Sequence, residues 1–313
     1  MILRLAVLVF GCVGLFTSTY AQFDPAGGEA GSKGVHWDDA RLVQWAASAK
    51  TDVGFQQIND TTFGRVDAGT VDDVLGKADR RTLSLGDDGS ITLEFDPPIS
   101  NQRGDDFVVF ENGFAWQGGF FLELAFVEVS SDGRNFTRFP SQYGGDTLNQ
   151  IENLAYMECE WYHNLAGKHQ APYGTPFDLD SLSNTDSLDL NAIRFIRLLD
   201  VVGSLVDSLK VRDSRGVPIN DPWPTAFANS GFDLDAVGIL NNSVSVPNYP
   251  LNLLGLPNPI RIGDELPTQV SWYTLSGTLI QTHSTHVPSV PGFYIIRATI
   301  NQQHITQRIC VVD

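Results

Sequence analysis

GFDLDAVGIL, residues 231–240, has a period of two along most of its length. Apolar residues alternate in it with Asp233 and Asp235. Because successive side chains of a strand point to opposite faces, the stretch predicts a β-strand with its apolar side chains on one face and both carboxylates on the other. Two acids side by side on a strand could be catalytic, hold a metal or pair with arginine.

Arginines on a second predicted strand, 192–202, offer one explanation. Arg194 and Arg197 are three residues apart, so they cannot share a face of one regular strand. One of them could lie opposite Asp233 or Asp235 if the two strands pair, because cross-strand ion pairs satisfy such acids. We expect structural pairing or a metal-bound scaffold at these acids rather than catalysis.

Further strand patterns surround this pair, and helical patterns are weak. The predicted strands include a hairpin around Ser-Asp-Gly, and they span 90–99, 106–114, 122–139 and 192–202. Two weak helical signals lie at 38–49, with Asp38 as a cap, and at 70–79. Many strands separated by turns predict an all-β fold, an antiparallel β-sandwich or jelly roll over residues 22–242.

Composition limits the classes of function. The chain has 313 residues, of which 42% are hydrophobic and 18% charged, so a folded globular protein is expected. Its net charge of −17 disfavours nucleic acid as a partner, since phosphate contacts need clustered Lys and Arg. An acidic surface is compatible with calcium and with neutral ligands such as glycans, and also with a role in solubility alone.

The first 21 residues have the pattern of a secretory signal peptide. Arg4 precedes an apolar run that is too short to span a bilayer, and Thr19-Tyr20-Ala21 resembles a cleavage site. No later segment has the length and hydrophobicity of a membrane helix. Cys159 and Cys310 remain after the signal, and we expect two separate thiols rather than a disulfide.

A polar linker at 243–252 separates the main domain from a small Ig-like β-sandwich at 253–313. The motifs of this second domain are Leu256–Pro259, Trp272–Gly277, Pro291–Arg297 and Gln307–Ile309. In type and order they resemble the C-terminal sorting domain of type IX secretion substrates, although Thr274 and Phe293 depart from that pattern. The resemblance implies export across the outer membrane of a Bacteroidetes-type bacterium, with the type IX secretion machinery as partner.

The main domain resembles a group of secreted bacterial cell surface proteins with a galactose-binding-like jelly roll. The motifs that carry this resemblance are Gly86–Leu93, Gly104–Phe114, Asn164–Lys168, Tyr173–Leu179, Asp221–Thr225 and Gly231–Val237. It implies a fold and a location at the outer cell surface but no activity, because one fold serves many functions.

Acidic residues at loops and strand ends are candidates for calcium, which takes six to eight oxygen ligands. The predicted metal ligands are Asp105, Asp106, Glu111, Asp200, Asp221, Asp233 and Asp235. Such acids also form turns and solvated loops without any metal. Signatures of common catalytic sites are missing from the sequence: it has no G-x-S-x-G and no H-E-x-x-H.

Aromatic residues in irregular segments suggest a binding surface. Trp116 follows an Asn-Gly turn, and Trp161 and Tyr162 lie in the next irregular segment. We predict that these three bind a ligand, since loop aromatics stack on flat ligands and sugars. Trp223, between two prolines, is expected to be a structural plug.

These features together predict a non-enzymatic binding protein that is secreted or held at the cell surface, with a glycan as ligand and calcium as a structural ion. One alternative is a hydrolase of polysaccharide or ester that uses a pair of loop carboxylates. Another is a surface protein that captures a small nutrient such as a corrinoid.

Overall fold

The computed structural model describes residues 23–116, 118–183, 185, 188–241, 260–274, 278–300 and 303–312. The chain divides into two compact units between Asn242 and Ser243. The described residues are almost entirely β, which confirms the predicted fold class. The predicted signal peptide at 1–21 and linker at 243–252 lie outside the described residues.

The first unit contains short and long strands joined by extended loops. Its strands are β1 (Val35–His36), β2 (Leu42–Trp45), β3 (Ser48–Asp52), β4 (Leu83–Ser84), β5 (Ser90–Ile99), β6 (Phe107–Glu111), β7 (Phe114–Trp116), β8 (Gly119–Phe121), β9 (Ala125–Ser130), β10 (Thr137–Arg138), β11 (Gln142–Tyr143), β12 (Tyr162–His163), β13 (Tyr173–Phe177), β14 (Ile193–Asp200) and β15 (Asp233–Leu240). Short 3₁₀ helices span Thr61–Phe63, Val71–Val74, Cys159–Trp161 and Leu179–Leu182.

Two antiparallel sheets form the body of this unit. The first sheet has the order β1-β13-β6-β15-β2, with β4 also paired to β15, and the second has the order β10-β9-β14-β5-β3. The predicted hairpin corresponds to β9 and β10. The helix predicted at 38–49 is wrong: this segment forms β2 and the start of β3. The other segment with a weak helical signal, 70–79, contains only a short 3₁₀ helix at Val71–Val74.

The main core lies between the two sheets. In β6, Phe107 and Val109 face this core, whereas Val108 and Phe110 face a separate apolar cluster on the other side of the sheet. Trp45 packs on Phe110 there, with ring centroids 5.9 Å apart. A strand that is covered on both faces needs apolar residues at successive positions, which explains the continuous run FVVF at 107–110.

β15 lies between β6 and β2 and is buried along its whole length. Its pairing with β6 slips between Leu234, opposite Glu111, and Ala236, opposite Phe110, so Asp235 is the extra residue of a β-bulge. Leu234 consequently packs in the core between the sheets and Ala236 on the outer side. The regular alternation predicted for this strand is therefore interrupted at Asp235.

Arg194 and Arg197 do not meet these acids. Both lie on β14, which pairs with β5 and β9 in the second sheet. The Nε atom of Arg197 donates to Glu128 on the neighbouring strand at 2.8 Å. The proposed cross-strand pairing with β15 is wrong because the two strands belong to different sheets.

Long loops between the strands enclose a second apolar cluster, which we call the loop core. Its buried members are Ala26, Leu122, Leu124, Phe126, Tyr143, Met157, Cys159, Tyr162, Leu165, Val201 and Ile219. Cys159 is a buried free thiol in this cluster. The loops are thus packed against the sandwich by their own side chains.

The second unit is a five-stranded sheet. Its strands are β16 (Ile260–Arg261), β17 (Glu265–Tyr273), β18 (Leu279–His286), β19 (Gly292–Ile300) and β20 (Gln303–Val312), in the order β16-β20-β19-β17-β18. Trp272 is fully buried and meets Tyr294 edge to face at 5.7 Å between centroids. Its assignment as a sorting domain stays a prediction. No helix in the described part of the chain has the length and apolar character needed to cross a membrane.

Candidate ligand-binding site

Most of the predicted metal ligands bind backbone N–H groups of loops. The contacts are Asp106 with Gln102 (2.7 Å) and Leu179 (2.8 Å), Asp200 with Phe232 (2.8 Å) and Asp88 (3.3 Å), Asp221 with Leu124 (3.0 Å), Asp235 with Asp79 (3.0 Å) and Arg80 (3.1 Å), and Glu111 with Gly113 (2.7 Å). A buried N–H group needs an acceptor, and a carboxylate supplies a strong one. These acids therefore anchor loops to the sandwich.

Asp233 accepts from side chains instead. The Ser84 hydroxyl donates to one of its oxygens, and the Asn112 amide donates to the other at 3.0 Å. Burial nevertheless raises the pKa of Asp233 to about 6. Asp233 and Asp235 thus both anchor neighbouring segments: Asp233 accepts hydrogen bonds from side chains, and Asp235 accepts them from backbone N–H groups.

Most of the predicted calcium ligands take part in separate anchoring contacts. Within the described ranges, no three His, Cys, Asp or Glu side chains converge in a way that could hold a metal ion. Asp105 lines a polar pocket described below, where burial and Asp178 raise its pKa. Six to eight oxygens around one ion are not assembled by these residues, and structural calcium stays a prediction.

A cleft of about 320 Å³ opens near β7 and β8, and we call it the phenylalanine pocket. Its lining residues are Asn112, Phe114, Phe121, Glu123, Leu154, Thr225, Phe227, Asn229 and Asp233. Ligand pockets are typically concave and largely apolar, with a few polar groups. This combination makes the cleft the best candidate for a ligand site.

Large apolar side chains are exposed at this pocket. Phe114 is 45% exposed, Phe227 46% and Leu154 54%. Phe114 is stacked on Phe121, with ring centroids 5.3 Å apart and an angle of 25° between the planes. Several exposed apolar side chains around one cleft are unfavourable in water and are typical of a binding surface.

Glu123 is the buried acid of this pocket. It lies between β8 and β9, is only 6% exposed, and its carboxyl accepts no hydrogen bond from any described residue. Gly167, with φ of +82°, would bring a Cβ within 1.9 Å of the Glu123 carbonyl oxygen. Because only glycine allows this close contact, the backbone at Glu123 is held in place.

Of five buried carboxyls, Glu123 and Asp233 line the pocket and the other three act on Glu123 through their charge; we call the five the acidic floor. They are Glu111, Glu123, Asp200, Asp221 and Asp233. For Glu123, burial and then the other four carboxyls raise the pKa well above its usual value. Among the described residues, no Lys, Arg or His forms an ion pair with any of the five.

A second, polar pocket of about 170 Å³ is lined in part by Asp24, Asp105, Lys168 and His169. Asp24 lies 2.7 Å from the Lys168 ammonium and 3.2 Å from Nε2 of His169. Burial raises the pKa of Asp24, but these two partners outweigh it and hold the pKa well below its usual value. The Lys168 charge is therefore balanced within the protein, and the contact ties the segment around Asp24 to the domain.

Neither Trp161 nor Tyr162, two of the three predicted aromatic ligand residues, lines either pocket. Tyr162 is fully buried in the loop core and donates its hydroxyl to the Asn220 carbonyl oxygen at 3.0 Å, so its ring offers no surface to a ligand. This placement is incompatible with the prediction for Tyr162. Trp161 is half-buried against the same cluster. Trp116 lies on β7, two residues after Phe114, and its side chain is outside the described part.

Apart from Asp233, which was predicted as a metal ligand, the residues that form the pocket were not predicted as site residues from the sequence. Glu123 was detectable, because it is the single charge inside the apolar run FFLELAF, 120–126. Phe114 follows the Asn-Gly turn directly. Phe227 has no comparable signal, since it belongs to a long loop that only the fold brings to β7 and β8.

No protein-family model matches this chain, and no curated protein matches it either. The geometry and chemistry of the pocket are therefore what indicates a function for this protein.

Proposed function

We propose that the protein binds an extracellular glycan in its phenylalanine pocket. The observation that carries the proposal is the exposure of Phe114 and Phe227 around a recess that contains Glu123, Asn112 and Thr225. The C–H faces of a sugar ring pack on aromatic rings, and its hydroxyls need hydrogen-bond partners at defined positions. Aromatic rings above a recess of acid, amide and hydroxyl groups meet both needs.

The size and polarity of the pocket support a small sugar. A volume of about 320 Å³ is near the lower end of ordinary ligand pockets, roughly 300 to 1,000 Å³, and suits one or two sugar units better than a large cofactor such as a corrinoid. A protonated Glu123 can both donate to and accept from hydroxyls. Neighbouring Asn112 adds an amide.

Secretion forms part of the same proposal. The signal-like residues 1–21 would direct the chain out of the cytoplasm, and the second unit would serve as a type IX sorting domain. The protein would then act at the outer cell surface or after release. Detection of the chain in the culture medium or on intact cells, lost on deletion of 253–313, is the expected result.

The binding test uses the full chain without residues 1–21 on a glycan array, followed by calorimetry with the sugars that bind. Phe114→Ala and Phe227→Ala should each weaken binding at least about tenfold, as expected for central aromatic contacts. Phe63→Ala is the matched control, because Phe63 is 50% exposed and lines neither pocket. Absence of binding to every glycan, or equal loss in all three variants, would refute the proposal.

A hydrolase is a second candidate, favoured by the raised pKa of Glu123 beside the hydrogen-bonded Asp233. Carboxyls in different environments can act as acid and base. Turnover of mixed polysaccharides that is abolished by Glu123→Gln would establish catalysis. Binding without turnover would leave the glycan-binding proposal alone.

Calcium is tested separately by thermal unfolding with EDTA and then with millimolar calcium. An ion that binds only the native state must raise the unfolding midpoint. A calcium-dependent rise would support a structural ion, and an unchanged midpoint would remove calcium from the proposal.

A further inference from the structure

The acidic floor places buried carboxyls at the phenylalanine pocket without a described basic partner, and an ammonium group beside them would favour their ionised form. Glu123 is the central member, because it is 94% buried, lines the pocket and accepts no described hydrogen bond. Asp233 lines the same pocket but is already held by Ser84 and Asn112. An unpartnered buried acid is unfavourable for folding, so a partner from outside the chain would relieve it.

We propose that the phenylalanine pocket prefers a sugar that carries a free amino group, with the sugar ring on the phenylalanines and the ammonium group at Glu123. This inference rests on the proposed glycan function and names the class of sugar. The ammonium group supplies three donors, which the carboxyls of Glu123 and Asp233 can accept.

The aromatic rim supports the same choice. The faces of aromatic rings carry partial negative charge and attract cations, and Phe114, Phe121 and Phe227 all line the pocket. A desolvated ammonium group is therefore favoured both by the rings and by the acids. A neutral hydroxyl in its place gains a hydrogen bond but none of the charge attraction.

The overall negative charge of the chain also favours a cationic sugar. The chain has a net charge of −17, and four further carboxyls act electrostatically on Glu123: Glu111, Asp200, Asp221 and Asp233. A field of this sign concentrates cations and speeds their association, whereas it repels anionic sugars such as uronic acids. Acetylation of the amino group would remove both advantages.

The test compares three probes by calorimetry on the wild-type chain: methyl glucosaminide, methyl glucoside and tetramethylammonium. The glucosaminide should bind at least about tenfold more tightly than the glucoside, as for a charge-assisted contact. Raising the salt concentration should weaken glucosaminide binding more than glucoside binding, because salt screens charges. Glu123→Gln should reduce glucosaminide affinity by about 30-fold, the loss expected for one partner of a buried charge pair, and should reduce glucoside affinity much less, since the amide still forms hydrogen bonds with hydroxyls.

Glu94→Gln is the matched control, since it removes one exposed charge from β5 outside the pocket and should change neither affinity. Equal binding of glucosaminide and glucoside would overturn this inference and leave the glycan proposal standing. Binding of tetramethylammonium with neither sugar would overturn both. The comparison of probes on the wild type stays decisive even where Glu123→Gln fails to fold.

Discussion

Replacing Asp213 by alanine should destabilise the first unit strongly, because this one side chain closes a loop against β11. One of its oxygens accepts from the backbone N–H groups of Arg215 (2.8 Å) and Val217 (2.9 Å), and the other accepts from that of Tyr143 (2.9 Å). The Arg215 guanidinium lies 3.1 Å from the same carboxylate. Alanine would remove every one of these contacts.

The magnitude follows from the number of donors left without an acceptor. Each buried donor that loses its partner costs about 1 to 3 kcal/mol, so three donors give about 3 to 9 kcal/mol. We expect the lower half of this range, about 3 to 6 kcal/mol, because water can reach part of an opened loop. Asp213→Asn keeps one accepting oxygen and should lose only about 1 to 3 kcal/mol.

Urea unfolding followed by tryptophan fluorescence measures these changes. The signal reports mainly on the first unit, since five of the six tryptophans precede residue 242. Asp207→Ala is the control: its side chain is 98% exposed and pairs with Lys210, and we expect no measurable change. A loss below about 0.5 kcal/mol for Asp213→Ala, within the range of ordinary surface changes, would refute the anchoring argument.

The pH dependence provides an independent check on Asp213. Burial raises its pKa, but the backbone donors and Arg215 outweigh this, so the pKa is lowered from 3.8. Stability from a lowered carboxyl pKa is present above the unfolded value and is lost as pH falls through the folded value. The difference between wild type and Asp213→Ala should therefore narrow below about pH 4, and a constant difference down to pH 2 would contradict this assignment.

Three further predictions concern buried groups. Burial raises the pKa of Asp233 from 3.8 to about 6, so its contribution to stability is full below pH 3.8 and is lost as pH rises through 6. In thermal unfolding, the stability of Asp233→Asn relative to wild type should therefore rise by up to about 3 kcal/mol between pH 4 and 7. A difference in stability that stays constant over this pH range would count against the assignment. Gly54→Ala would place a Cβ 2.1 Å from the Asp87 carbonyl oxygen and should lower the unfolding midpoint more than Gly31→Ala, where the space is open and only the backbone φ of +93° opposes alanine; equal midpoints would disprove the close contact. Burial raises the pKa of the Cys159 thiol to about 12, so Cys159 should stay unmodified by alkylation at pH 8 until the protein is unfolded. Peptide mapping measures this modification. Rapid labelling of the native protein would show instead that the loop core opens.

Local sequence determined the strands of this protein. Period-two patterns and turn dipeptides predicted segments that correspond to β5, β6, the β9–β10 hairpin, β14 and β15, because side-chain alternation and turn geometry act over a few residues. Because such patterns report only on neighbouring residues, they also gave the wrong prediction of a helix at 38–49. The pattern at 38–49 admitted a helix, and only pairing with β15 and β5 makes this segment extended.

The tertiary structure alone decided the partners of the charged and aromatic residues. The bulge at Asp235 arises from the register between β15 and β6, and Arg197 pairs with Glu128 because β14 lies in the other sheet. Tyr162 is buried because distant loops pack over it.

The phenylalanine pocket likewise depends on tertiary structure and not on local sequence. Its members Glu123 and Phe227 are separated by about one hundred residues in the chain and meet only in the fold. Strand formation depends on neighbours along the chain, whereas burial, charge pairing and pocket formation depend on contacts between distant segments. Sequence alone therefore determined the class of fold, and the packing of the two sheets and their loops determined the candidate site.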